Sequence, residues 1–209
     1  MSRPRDDWLE YEFDLERTIY FSDAVFAIAI TLLVIDIRVP DAPAAALPEE
    51  LHALIPQFLS FAISFLAIGS YWIAHHRLFR YITAHNQGLV FRNLLFLLFV
   101  ALMPFSSALL GEYDDQQVAV VVYAIHLAIL GLLLSWIWWY ASRNRRLVDP
   151  EIDPRVVRYT DLRAVVIPLI FVVSIGVSFV SVDVAELSWL LLLFVRPALS
   201  RYIQREHPT

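Results

Sequence analysis

Apolar residues dominate this chain in long blocks, and polar residues gather between the blocks. A span across a hydrocarbon core of roughly 30 Å takes about 20 apolar residues. Six blocks meet that length or approach it, over about 18–38, 51–79, 93–111, 117–141, 163–181 and 185–203. Pro40, Pro43 and Pro48 break the chain after the first block. Pro104 falls inside the third block and predicts a kink, since neighbouring helices re-satisfy the backbone group it frees. The sixth block carries Arg196-Pro197 and has a short uninterrupted apolar run. Segment 80–93 reads as a polar connector with helical character, 142–163 as the longest soluble connector, and 181–186 as a short turn. The pattern predicts an all-α integral membrane protein, a single six-helix domain over 1–209 without internal repeats.

The polar positions inside the blocks are the informative ones. Asp23 lies in the first turns of the first block, beside Ser22, with Thr31 further along. A carboxylate at the bilayer centre costs on the order of 2.5–3.5 kcal/mol, so it faces a protein partner or water. Trp72, His75 and His76 lie late in the second block, and Arg92 and Asn93 open the third. With spans alternating in direction, these groups fall at one depth. Lipid offers them no partners, so they are expected to satisfy one another, with Arg17 close by at the interface. The network either fixes helix packing or serves as a proton or ion relay, because histidine titrates near neutral pH. Ile28, Leu32 and Ile35 recur at helical spacing with Thr31 on their border, and periodicity alone makes this stripe a packing seam.

Charge adds an orientation. All sixteen basic residues are arginine. Arg3, Arg5 and Arg17 precede the first span, and Arg77, Arg80 and Arg92 lie between the second and third. Arg143, Arg145, Arg146, Arg155, Arg158 and Arg163 lie between the fourth and fifth, and Arg201 and Arg205 follow the sixth. The opposite side holds Arg38 and a collection of carboxylates that includes Asp36, Glu112, Asp114 and Asp183. The positive-inside bias places both termini of this multi-pass membrane protein in the cytoplasm, and the membrane expected is the cell's inner, cytoplasmic one. Acidic loops at a pore mouth would raise the local cation concentration, although ordinary solvated loops carry such charges too. The first 17 residues lack the apolar core of a cleaved signal peptide and read as a short cytoplasmic helix, whose Trp8, Tyr11 and Phe13 also suit a membrane interface.

Composition closes several routes. The chain is 59% hydrophobic, with a mean hydropathy of +0.61, more apolar than a soluble domain of this length requires. It contains no cysteine, which excludes disulfides, thiolate metal sites and thiol catalysis. His75 and His76 are adjacent and point about 100° apart on a helix, unlike a metal-binding pair at i, i+4. No nucleophile–base pair, phosphate-binding glycine loop or dinucleotide fingerprint stands out, so no enzyme, cofactor or nucleic-acid partner is expected. The classes left open are a cation channel, a proton channel or proton-coupled transporter relaying through Asp23 and His75 or His76, and a non-conducting scaffold.

The run Arg17-x-x-x-Phe21-Ser22-Asp23, continued by AVFAIAITLLV, resembles the first-helix signature of the transmembrane protein 175 family of endosomal/lysosomal potassium channels and their prokaryotic relatives. The second span's ending, Tyr71-Trp72-Ile73-Ala74-His75-His76-Arg77, and the third span's opening, Arg92-Asn93-Leu94, resemble that family too. The resemblance implies six helices per repeat, with this single-repeat chain similar to members that assemble as homotetramers around a pore lined by the first helix. It makes Ile28 the main hydrophobic constriction, Leu32 and Ile35 further rings toward the outside, and Thr31 the polar pore-side position. Arg17, Phe21, Ser22 and Asp23 would hold the first helix, with Trp72, Asn93 and one of His75 and His76 as partners. The permeant species implied is K⁺. No TVGYG-like filter is present, so a hydrophobic gate with modest preference for K⁺ over Na⁺ is expected.

Overall fold

The computed structural model describes residues 15–191. The notional interfacial helix around Trp8, Tyr11 and Phe13, and the sixth span beyond Leu191 with Arg196 and Pro197, lie outside the described residues. Helix α1 (Leu15–Leu32) tightens into a 3₁₀ turn over Leu33–Asp36. An irregular stretch with Pro40 and Pro43 leads to α2 (Leu47–Ala53), which has Pro48 in its first turn, where the missing N–H removes no helical bond. The remaining helices are α3 (Ile55–Phe79), α4 (Gln87–Glu112), α5 (Gln117–Ser142), α6 (Pro154–Ser178) and α7 (Val182–Ser188).

Among the described residues five segments are long and apolar enough to cross a membrane: Leu15–Asp36, Leu47–Phe79, Gln87–Glu112, Gln117–Arg145 and Pro154–Ser178. The protein is thus an all-α integral membrane protein, with its architecture carried by helix packing. Helices α4, α5 and α6 pack side by side, α3 lies against α4, and α1 packs on α3 and α4. The core among them is built from side chains such as Phe26, Ile68, Phe96, Met103, Tyr123 and Leu127. Helices α3 and α4 approach closely at Gly111, where a Cβ atom would fall 2.4 Å from Ser60 Oγ and 3.0 Å from the Gln57 backbone.

Three boundaries differ from the hydrophobic pattern, and capping explains each. Helix α4 begins at Gln87, inside the expected connector 80–93, because the Asn86 side chain accepts the Leu89 backbone N–H at 3.0 Å. Helix α6 begins at Pro154, well before 163, because Asp153 caps it and a proline favours the first helical turn. The expected turn at 181–186 is the start of α7, capped by Ser181. Pro104 and Pro168 lie inside continuous helices, so Pro104 does not end its span. The connectors at one end of the bundle are tied together: Ile82 pairs with Val148, and the Asp149 N–H donates to the Tyr81 carbonyl at 3.3 Å.

Candidate functional site

Helix α1 has two unlike faces. Thr18, Ser22, Phe26 and Ala29, followed by Leu33, form its buried face, at steps of three or four residues. The opposite face is apolar but uncovered: Ile28 is 58% exposed, Leu32 39% and Ile35 63%, with Thr31 exposed among them. The Thr31 hydroxyl donates to its own helix at the Ile28 carbonyl, 2.8 Å away, which leaves its lone pairs toward the open side.

The buried face is fastened by a directional chain of hydrogen bonds. The Ser22 hydroxyl donates to the Thr18 carbonyl at 2.7 Å, so its oxygen is free to accept. Asn93 Nδ2 on α4 donates to that oxygen at 2.9 Å. The Asn93 Oδ1 lies 2.9 Å from His75 Nε2 on α3, and because an amide oxygen only accepts, His75 carries its proton on Nε2. One amide therefore bridges three helices. Ser22 and Asn93 are fully buried, and His75 almost so. The imidazole stacks on Phe79 at 4.2 Å between centroids and lies parallel to Phe96 at 5.7 Å, with Nδ1 unpartnered among the described residues.

Asp23 is held separately. Its Oδ1 accepts the Trp72 indole N–H at 2.8 Å, at the edge of the α1–α3 contact. Asp23 and His75 share no hydrogen bond among the described residues. His75 is the histidine that enters the network. His76 is exposed, with its ring 5.9 Å from that of Trp72. Arg17 and Phe21 lie on the exposed side of α1, and no group of three His, Asp or Glu residues gathers as a metal set among the described residues.

Other buried polar contacts were not singled out from the sequence. His126 on α5 lies 2.8 Å from the Phe99 carbonyl through Nε2 and 2.8 Å from Ser106 Oγ through Nδ1, bracketing Pro104 on α4. Ser64 and Tyr123 meet at 2.9 Å, and the Tyr71 hydroxyl donates to the Leu127 carbonyl at 2.6 Å. A lone His, Ser or Tyr within an apolar run was the available signal, but it has no spacing that names its partner.

These features define a class: a helical membrane protein whose first helix is locked on its polar side and bare on its apolar side. A family model described as endosomal/lysosomal potassium channel TMEM175 matches residues 17–104, the span that holds α1, Trp72, His75 and Asn93. A potassium channel of Streptomyces collinus is 39% identical over 166 residues, covering 77% of this chain and 81% of the relative. The crystal structure of a lysosomal potassium-selective channel TMEM175 homologue from Chamaesiphon minutus superposes with a TM-score of 0.78 at 30% identity, covering 88% of this chain and 97% of that one. The human endosomal/lysosomal proton channel TMEM175 is 34% identical over 147 residues, which cover 60% of this chain and 29% of the relative. The chain belongs to the TMEM175 family.

Proposed function

We propose that this chain is one subunit of a homotetrameric, potassium-permeable cation channel in the cell's inner membrane, with both termini cytoplasmic and the whole of 1–209 forming one six-helix channel domain. The carrying observation is the division of α1 into an anchored polar face and an uncovered apolar face with Ile28, Thr31, Leu32 and Ile35 along it. Around a central axis, four copies of that face line a narrow path. Ile28 forms the constriction, Leu32 and Ile35 form rings beyond it, and Thr31 offers hydroxyl lone pairs between them.

Isoleucine carries no dipole to replace an ion's hydration shell, so such a constriction gates by dewetting and discriminates weakly. The path therefore conducts K⁺ with a modest preference over Na⁺. Ser22, Asp23, Trp72, His75 and Asn93 set the rotation of α1 and thus the side chains that face the axis. Arg17, Phe21 and His76 border this anchor. The names of the Streptomyces and Chamaesiphon relatives support potassium as the permeant ion.

A proton channel is the second reading, favoured by the names of the animal relatives. Against a simple relay stands the separation of the Asp23–Trp72 pair from the Ser22–Asn93–His75 chain. The test is K⁺ flux from proteoliposomes under an outward K⁺ gradient with a proton ionophore, comparing the parent with Ile28→Asn. The expected result is K⁺ flux that rises when the constriction is wetted. Flux unchanged by Ile28→Asn in assembled protein refutes the pore assignment, and flux carried by protons alone selects the second reading.

A further inference from the structure

The end of α5 carries four aromatic side chains in five residues, of which Trp138 is buried and Trp136, Trp139 and Tyr140 are not, and the chain then enters an arginine-rich turn. Three guanidinium groups sit on these rings. Arg92, from the start of α4, lies over Tyr140 at 3.7 Å and over Trp136 at 4.4 Å. Arg146 approaches the Tyr140 ring at 5.0 Å, and Arg143 lies over Trp139 at 4.7 Å. The cluster is built rather than incidental. The Tyr140 hydroxyl donates to Asn86 Oδ1 at 3.2 Å, and Arg92 Nη1 donates to the Gly88 carbonyl at 2.7 Å. At Gly88 a Cβ would fall 2.5 Å from the Tyr140 hydroxyl oxygen, so only glycine permits this approach.

What the cluster lacks among the described residues is an anion. Among the described residues none of the three guanidiniums has a carboxylate within ion-pair distance. The nearby carboxylates have other donors: Asp161 accepts the Trp138 indole, Asp149 the Glu151 N–H and Asp153 the Arg155 N–H. Two like charges therefore share the Tyr140 ring without neutralisation, and Arg92 keeps a buried Nε–H with no acceptor. Arg143 and Arg146 are exposed, and Trp139 is exposed beside them. Tryptophan and tyrosine mark the head-group level of a bilayer. Arginine forks match phosphate oxygens, and arginines beside a membrane surface attract anionic lipid.

We propose that Arg92, Arg143 and Arg146, arrayed on Trp136, Trp139 and Tyr140, form a binding site for the head-group phosphate of an anionic phospholipid. Arg143 and Arg146 contact the phosphate from the open side. Arg92, clamped between rings, supplies fixed positive charge beneath them. The site lies on the α4–α5 side of the bundle, and the inference stands apart from the channel reading.

The test is native mass spectrometry of the purified protein with phosphatidylglycerol or phosphatidylcholine, paired with unfolding temperature in the same lipids. Each arginine that contacts the phosphate is worth about a fivefold change in affinity, so Arg143→Ala/Arg146→Ala should weaken phosphatidylglycerol binding about 30-fold. Arg155→Ala, on the same end but off the rings, should leave it unchanged. On the parent alone, phosphatidylglycerol should bind more tightly and stabilise more than phosphatidylcholine. Equal losses in the Arg155 variant and the double variant would reduce the site to diffuse surface charge and overturn it, as would equal binding of the two lipids by the parent. Inorganic phosphate that alone raises the unfolding temperature as far as phosphatidylglycerol does would make this a free-anion site and end the lipid assignment.

Discussion

Replacing Asn93 by leucine tests the anchor of α1 at its one shared member. The substitution removes the donor to Ser22 and the acceptor for His75, two bonds of 2.9 Å each in a fully buried position. Ser22 keeps its bond to the Thr18 carbonyl, so its hydroxyl proton is not orphaned. His75 fares worse: its Nε2–H loses its acceptor while Nδ1 already has no partner. Interhelical bonds in membranes average about 0.6 kcal/mol, and a bare buried donor costs about 1–3 kcal/mol, which places the loss at about 2–4 kcal/mol.

His75→Phe alone should be milder, about 1 kcal/mol, because Asn93 Oδ1 loses a donor but a carbonyl tolerates this better than an N–H tolerates a lost acceptor. A phenyl ring also suits the space between Phe79 and Phe96. The double variant Asn93→Leu/His75→Phe removes both partners and should recover to within about 1 kcal/mol of the parent, since trading both ends of a buried hydrogen bond for apolar groups is close to neutral. Reversible unfolding in mixed micelles, followed by tryptophan fluorescence, measures all three. If Asn93→Leu is as stable as the parent, or if adding His75→Phe to it lowers stability further, the directional bridge described here is wrong.

Three other expectations are simpler. Ile28→Asn should raise K⁺ flux by wetting the constriction, as measured in proteoliposomes, with the refuting outcome given above. Trp72→Phe keeps an aromatic ring but deletes the donor to Asp23; stability should fall by about 1–2 kcal/mol, and a variant equal to the parent in thermal unfolding would show that solvent replaces the indole at no cost. His126→Leu removes the contact to the Phe99 carbonyl just before the turn that Pro104 deprives of an N–H. Hydrogen exchange over 99–106 should speed up and stability drop by about 1 kcal/mol; unchanged exchange would mean α5 does not brace this turn.

The sequence by itself determined the class of the protein. Blocks of about 20 apolar residues have few stable states other than membrane helices, because only a helix satisfies its own backbone within lipid. It also placed Ser22, Asp23, Trp72, a histidine and Asn93 at one depth, since alternating spans and polar positions fix height along the bilayer. Helix starts were misplaced where polar residues precede the apolar block. Asn86 and Asp153 begin α4 and α6 by capping, and hydropathy does not register a cap. Rotation about each helix axis was the other gap. Hydropathy does not separate His75 from His76 on α3, but Ser60, Ser64, Tyr71 and His75 recur at helical spacing on one buried face, so a polar stripe marks His75 as the inward histidine and packing on α4 gives it its partner. The same holds for α1. Its polar residues Thr18 and Ser22 are buried while Ile28, Leu32 and Ile35 stand open, the inverse of a soluble helix. In a membrane an apolar side chain has little to gain by burial, whereas the buried amide of Asn93 must find an acceptor, and Ser22, whose proton already serves the Thr18 carbonyl, supplies it from 71 positions away.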